Sequence, residues 1–136
     1  MEDSLSIAAL FRCLLRMLWR LKCHNQRWRI YARMLIDENR WRAQRYGTDQ
    51  GLVDFGRGAI VPYADLLEEI LAPIDEDARH FDCLAEISHT RQILARGTSA
   101  HRQLTVFEQA PAAGATRPEA LTAVVDWLIA ETARGV

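Results

Sequence analysis

The densest grouping of residues able to do chemistry is Glu38–Gly47, ENRWRAQRYG, which places Asn39, Arg40, Arg42 and Arg45 within about two helical turns of one another and just ahead of a glycine. Guanidinium groups present planar forks of N–H donors that can grip phosphate or carboxylate bidentately. The same arginines have a plainer use: Arg40, Arg42 and Arg45 could pair with carboxylates of the chain itself, such as Asp54 or Glu68. Residue types and spacing leave both readings open.

Other groupings carry less. Cys23-His24 and His80-x-x-Cys83 contain four side chains of the kind that bind zinc, but neither pair has the spacing of a structural zinc site, and no metal site is expected. His89 and His101 stand alone in helical segments, and no Ser, Cys or His has the companions of an activated nucleophile. Trp19, Trp28, Trp41 and Trp127 lie among arginines, a mixture also found where proteins stack on nucleic acid. Their helical spacing makes them core or interface residues first, and nucleic acid is not an expected partner.

These groups have to be positioned by helices. Residues 4–22 carry Ile7, Leu10, Phe11, Leu14, Leu18 and Leu21 at helical spacing, with Arg12, Arg16 and Arg20 on another face. After a polar break at His24-Asn25-Gln26, a second helix is predicted over about 26–46, with Trp28, Tyr31, Met34, Leu35, Trp41 and Ala43 forming an apolar set wide enough to be covered on two sides. Gly47 ends it. GLVDFGRGAIVP reads as a small hairpin within 48–62, its apolar runs flanking Gly56-Arg57-Gly58. Pro62 suits the start of a third helix with Leu66, Leu67, Ile70, Leu71 and Ile74 inward; Pro73 is expected to kink or break it, and Asp75-Glu76-Asp77 to face solvent. A fourth helix over 82–96, a fifth from Thr98 or Ser99 to about Gln109, a linker near 110–117 and a last helix from Pro118 complete the chain. The expected fold class is mainly α: a single domain of five or six helices with one small β-hairpin.

The 136 residues suffice for one buried core. Hydrophobic residues at 49% and charged residues at 26% exclude a disordered or collagen-like chain. No apolar run approaches the roughly 20 residues that span a bilayer, and Glu2 and Asp3 stand where a signal peptide would be basic, so a cytoplasmic protein with reduced Cys13, Cys23 and Cys83 is expected. The net charge of −1 conceals +6 over residues 1–47 and −7 over 48–136. A basic half can mean a polyanion partner, but the acidic half of the same chain offers an internal one.

The stretch Asn39–Gly47 resembles the Asn-Arg-x-x-Ala-x-Arg-Tyr-Gly signature of carboxylate-amine ligases of the glutamate-cysteine ligase type 2 family. IAALFRCLLRML, GLVDFGRGAIVP, ILARGTSAHRQ and VVDWLIAET are similar to segments of the same C-terminal region, in the same order. The resemblance implies ATP-dependent joining of a carboxylate to an amine through an acyl phosphate, with Asn39, Arg42 and Arg45 binding substrate or phosphate, and with ATP and Mg²⁺ as cofactors. It also implies that the acidic Gly-x-Glu-x-Glu-like strands that hold the metal belong to an N-terminal sheet with no counterpart here. The expectation is a C-terminal ligase fragment, inactive alone and completed by an N-terminal half. The alternative is a non-enzymatic helical assembly module whose first two helices pair with another copy or with a partner.

Overall fold

In a computed structural model that describes residues 2–28, 31–112 and 114–134, α1 runs from Glu2 to Cys23. Glu2 and Asp3 in its first turn and Arg20 and Lys22 in its last complement the helix dipole. It stops where Asn25 turns left-handed, at φ 56°, letting the Gln26 amide reach back to the Leu21 carbonyl at 2.8 Å. The side chains it buries are Ser6, Cys13 and Met17, flanked by Leu10, Leu14 and Leu21. Ile7, Phe11 and Leu18, expected on the inner face, are exposed. The apolar arc of α1 is wider than the surface its neighbours cover.

The second helix, α2, spans Arg33–Tyr46, so the predicted start at 26 is corrected. Residues 26–28 are not helical, Ala32 is extended at ψ 145°, and residues 29 and 30 lie outside the described residues. Trp28 packs against the core cluster from non-helical chain, where no glycine or proline marks the break and helical periodicity misreads it. Nor is α2 covered on two sides: Leu35 is buried, while Met34, Ile36 and Trp41 are exposed. Gly47, at φ 58°, caps the helix by donating its N–H to the Ala43 carbonyl at 3.0 Å.

Strands β1 (Leu52–Asp54) and β2 (Ala59–Val61) pair antiparallel, Val53 opposite Ile60, as the predicted hairpin. Asp54, buried, closes the turn by accepting the Gly56 amide at 2.8 Å. Gly51 must be glycine, because a Cβ there would lie 2.2 Å from the Val61 carbonyl oxygen and φ is +68°.

Helix α3 (Tyr63–His80) follows Pro62, and α4 spans Leu84–Arg96. Pro73 does not break α3, correcting the expectation; the helix continues through the acidic run to His80. Leu71, Ile74 and Ala78 of α3 join Cys13 and Met17 of α1 and Ile87 of α4 in the core. Asp77 is buried with them, so the exposure expected of the acidic run holds for Asp75 and Glu76 but fails for Asp77. Its carboxylate accepts from Arg20 Nε at 3.0 Å and Nη2 at 2.7 Å, and from Arg16 Nη1. The inward stripe of α3 simply continues past Ile74, and a charge on it is tolerated because two guanidinium groups satisfy it.

The chain divides into two compact units, residues 2–95 and 96–136. The second contains α5 (Ser99–Ala112) and α6 (Arg117–Arg134), packed on one another. At the start of each, a side chain three residues on accepts from a threonine. The Thr98 amide donates to His101 Nδ1 at 3.0 Å, and the Thr116 amide to Glu119 Oε2 at 2.7 Å. Because α5 runs to Ala112, the connection is shorter than the predicted linker, and residue 113 within it lies outside the described residues. Arg102 joins the two helices, paired with Glu131 at 2.9 Å and lying over the Trp127 ring. The described residues thus form six helices and one small hairpin, a mainly α fold.

Candidate functional site

Asn39, Arg42 and Tyr46 recur at i, i+3 and i+7 and therefore share one face of α2. That face lies on the hairpin. Asn39 Nδ2 donates to the Val53 carbonyl at 2.9 Å and its Oδ1 accepts the Val53 amide at 2.7 Å, so the carboxamide stands in for a neighbouring strand along β1. Arg42 donates from Nε to the Gly51 carbonyl and from Nη2 to the Gln50 carbonyl, both at 3.3 Å, and its guanidinium lies 5.7 Å from the centre of the Tyr46 ring. Tyr46 also receives Trp41 edge-on at 5.6 Å. The last turns of α2 are thus fastened to the segment that follows them.

Arg45 is exposed, as is Arg40. Of the expected residues, the structure brings Asn39 and Arg42 together on the hairpin and leaves Arg45 at the surface of the same helix end. The carboxylates considered as internal partners are engaged otherwise: Glu68 holds Arg91 at 2.6 and 2.8 Å, while Asp54 accepts turn amides and lies 3.9 Å from Arg57. Arg57 also pairs with Glu69. Beside Arg42, burial pushes the Tyr63 phenol above its ordinary pKa, with the Arg42 charge acting in the opposite direction.

Trp28, Asn39, Leu52, Asp54, Leu66 and Glu69 line an open concavity of about 250 Å³ between the signature helix, the hairpin and α3. Two carboxylates, one amide and an apolar wall could hold a small polar molecule, and Arg57 beside them supplies positive charge. The composition of this wall was missed in the sequence. Asp54 and Glu69 are fifteen residues apart and meet only when the hairpin folds onto α3.

The zinc-like residues have other neighbours. Cys83 Sγ lies 3.6 Å from Cys13 Sγ, and His80 meets the Phe81 ring at 5.1 Å. Burial, then the contact with Cys83, pushes the Cys13 thiol up to about 12. His89 pairs with Asp3 at 2.9 Å, fastening α4 to the start of α1. Among the described residues no three His, Cys, Asp or Glu side chains stand together as a ligand set for a metal ion. No described helix is long and apolar enough to cross a membrane.

Comparison with known proteins places this arrangement. The family model of glutamate-cysteine ligase family 2 (GCS2) matches residues 1–125, and so includes α1, the signature helix, the hairpin and α3 to α5. A protein of Rhodospirillum rubrum named "Putative glutamate--cysteine ligase 2" is 67% identical over 97% of this chain, and those residues make up 34% of the relative. Proteins of the same name from Jannaschia sp. and Paracoccus denitrificans are 48% and 46% identical over 95% and 98% of the chain. The chain spans 34% and 36% of their length. No solved structure matches. With matched residues running through every element that builds the site, this chain belongs to glutamate-cysteine ligase family 2 and spans about a third of the length of those relatives.

Proposed function

We propose that the chain is the C-terminal helical part of an ATP-dependent carboxylate-amine ligase, supplying cationic contacts to an amino-acid-like substrate or to the phosphates of ATP and inactive by itself. The observation that carries the reading is the fastening of α2: Asn39 and Arg42 hold the helix end to the hairpin main chain, and Arg45 is presented exposed from that fixed end. A preorganised donor is worth more to an anion than a mobile one, because less side-chain and backbone freedom is lost on binding. Arg45 meets the anion, Arg42 adds N–H groups that the Gly51 and Gln50 carbonyls leave over, and Asn39 positions both. Phosphoryl transfer also requires Mg²⁺, and its ligands fall to the part of the family fold that the chain does not span.

The test joins the chain to that remaining part, taken from the Rhodospirillum rubrum relative and co-expressed with it. Release of ADP dependent on an added amino acid is expected from the pair and not from the chain alone. Arg45→Ala should abolish it while leaving the melting temperature in place. Undiminished ADP release by Arg45→Ala overturns the assignment.

A further inference from the structure

The first helix has two apolar faces, and only one of them is used. Cys13 and Met17 face the core, whereas Phe11, Leu15 and Trp19 are 63%, 66% and 65% exposed. They succeed one another at four-residue steps, with Leu18 beside them at 43% exposed, and so form a continuous stripe along about two turns. Ala8 extends the stripe toward the N-terminus. Arg12, Arg16 and Arg20 lie along one margin, Arg12 stacked 3.9 Å from the centre of the Phe81 ring, and Arg16 and Arg20 on Asp77. The stripe itself carries no charge. Its four large side chains expose on the order of 500 Å², the size of the largest apolar patch on a typical monomer, which is often a functional one.

We infer that this stripe is the docking surface for the part of the glutamate-cysteine ligase fold that the chain does not span, and that Phe11, Leu15 and Trp19 are its anchors. The family match begins at residue 1, so α1 is an element of the family fold rather than an addition to it. The chain accounts for 34% of the Rhodospirillum rubrum relative, leaving about two thirds of that fold to lie against something. A helix that is apolar over most of its circumference is ordinarily a buried one. The inference rests on the ligase reading for its partner but not on the anion site.

The test co-expresses the full 136-residue chain, tagged, with the unmatched region of the Rhodospirillum rubrum relative. A stoichiometric complex is expected on affinity purification and sedimentation. The double substitution Leu15→Glu/Trp19→Glu should weaken it at least tenfold, with helical circular dichroism unchanged. Ile129→Glu, an equally exposed apolar position on α6, should leave it intact. Equal binding by Leu15→Glu/Trp19→Glu overturns the inference, as does a wild-type chain that forms a homodimer through the stripe and captures no partner. Arg45→Ala separates this result from the ligase reading: it should form the complex yet release no ADP, and a complex without turnover even in the wild type removes the site and keeps the interface.

Discussion

Asn39 reads Val53 as an adjacent strand would, its carboxamide accepting the Val53 amide at 2.7 Å and donating to the Val53 carbonyl at 2.9 Å. A two-stranded hairpin has two open edges and little stability of its own. Here the β1 edge is closed by a side chain of the helix that precedes it.

Replacing Asn39 removes both bonds and leaves two main-chain groups of a half-buried residue unpaired. Asn39→Ala should cost about 1–3 kcal/mol. Asn39→Asp should cost more than its small change in shape implies, because a carboxylate oxygen would then face the Val53 carbonyl. Urea denaturation measures both, and hydrogen exchange at the Val53 amide should accelerate in step.

Arg42 and Arg45 separate structure from ligand binding. Arg42→Ala removes the bonds to Gly51 and Gln50, which are long and partly exposed, and should destabilise by about 1 kcal/mol. Arg45→Ala, at an exposed position, should stay within about 0.5 kcal/mol of the parent in the same melts.

Asp77 makes stability depend on acid. Burial pushes its carboxyl up, but hydrogen bonds from Arg20 and Arg16, with their charges, outweigh burial and hold it below the ordinary carboxylate range. A folded-state pKa below the unfolded one contributes stability that is fully present above the unfolded value, about 3.9. It is lost as the pH falls from there through the folded value. Asp77→Asn should lower stability at neutral pH by about 2–3 kcal/mol, less than for a fully buried pair because Arg16 and Arg20 are partly solvated. The variant should also lose less stability than the parent between about pH 5 and 2. Denaturation series across pH check both.

The three cysteines should differ in reactivity. Cys23 is exposed, whereas Cys13 is buried, with its thiol pushed up to about 12. With the thiolate as the reacting species, Cys13 should resist a disulfide reagent at pH 8 in the native protein and react on unfolding. Mass mapping of the labelled peptides should find Cys23 modified first.

Gly51→Ala should be the most damaging single-methyl change in the hairpin. The added Cβ meets the Val61 carbonyl, and the left-handed φ adds strain. A loss of at least about 2 kcal/mol is expected in thermal or chemical melts.

Local patterns determined much of this protein. Periodicity found the helices, Gly47 and Pro62 marked boundaries, the Gly56-Arg57-Gly58 turn gave the hairpin, and the signature with its companion segments gave the family. These are readable because capping, turn geometry and amphipathic spacing are short-range properties of the chain. What depended on distant residues was not readable. α2 starts at Arg33, and Trp28, ahead of it, packs on a core built from α1, α3 and α4. Asp77 went inward because Arg16 and Arg20, some sixty residues away, arrive beside it. Asn39 and Arg42 bond main-chain groups, and a backbone amide or carbonyl has no residue type by which a sequence could announce it. The apolar arc of α1 shows in the sequence; which half of it meets the core was decided by tertiary packing, since a helix with two apolar faces offers both until its neighbours arrive.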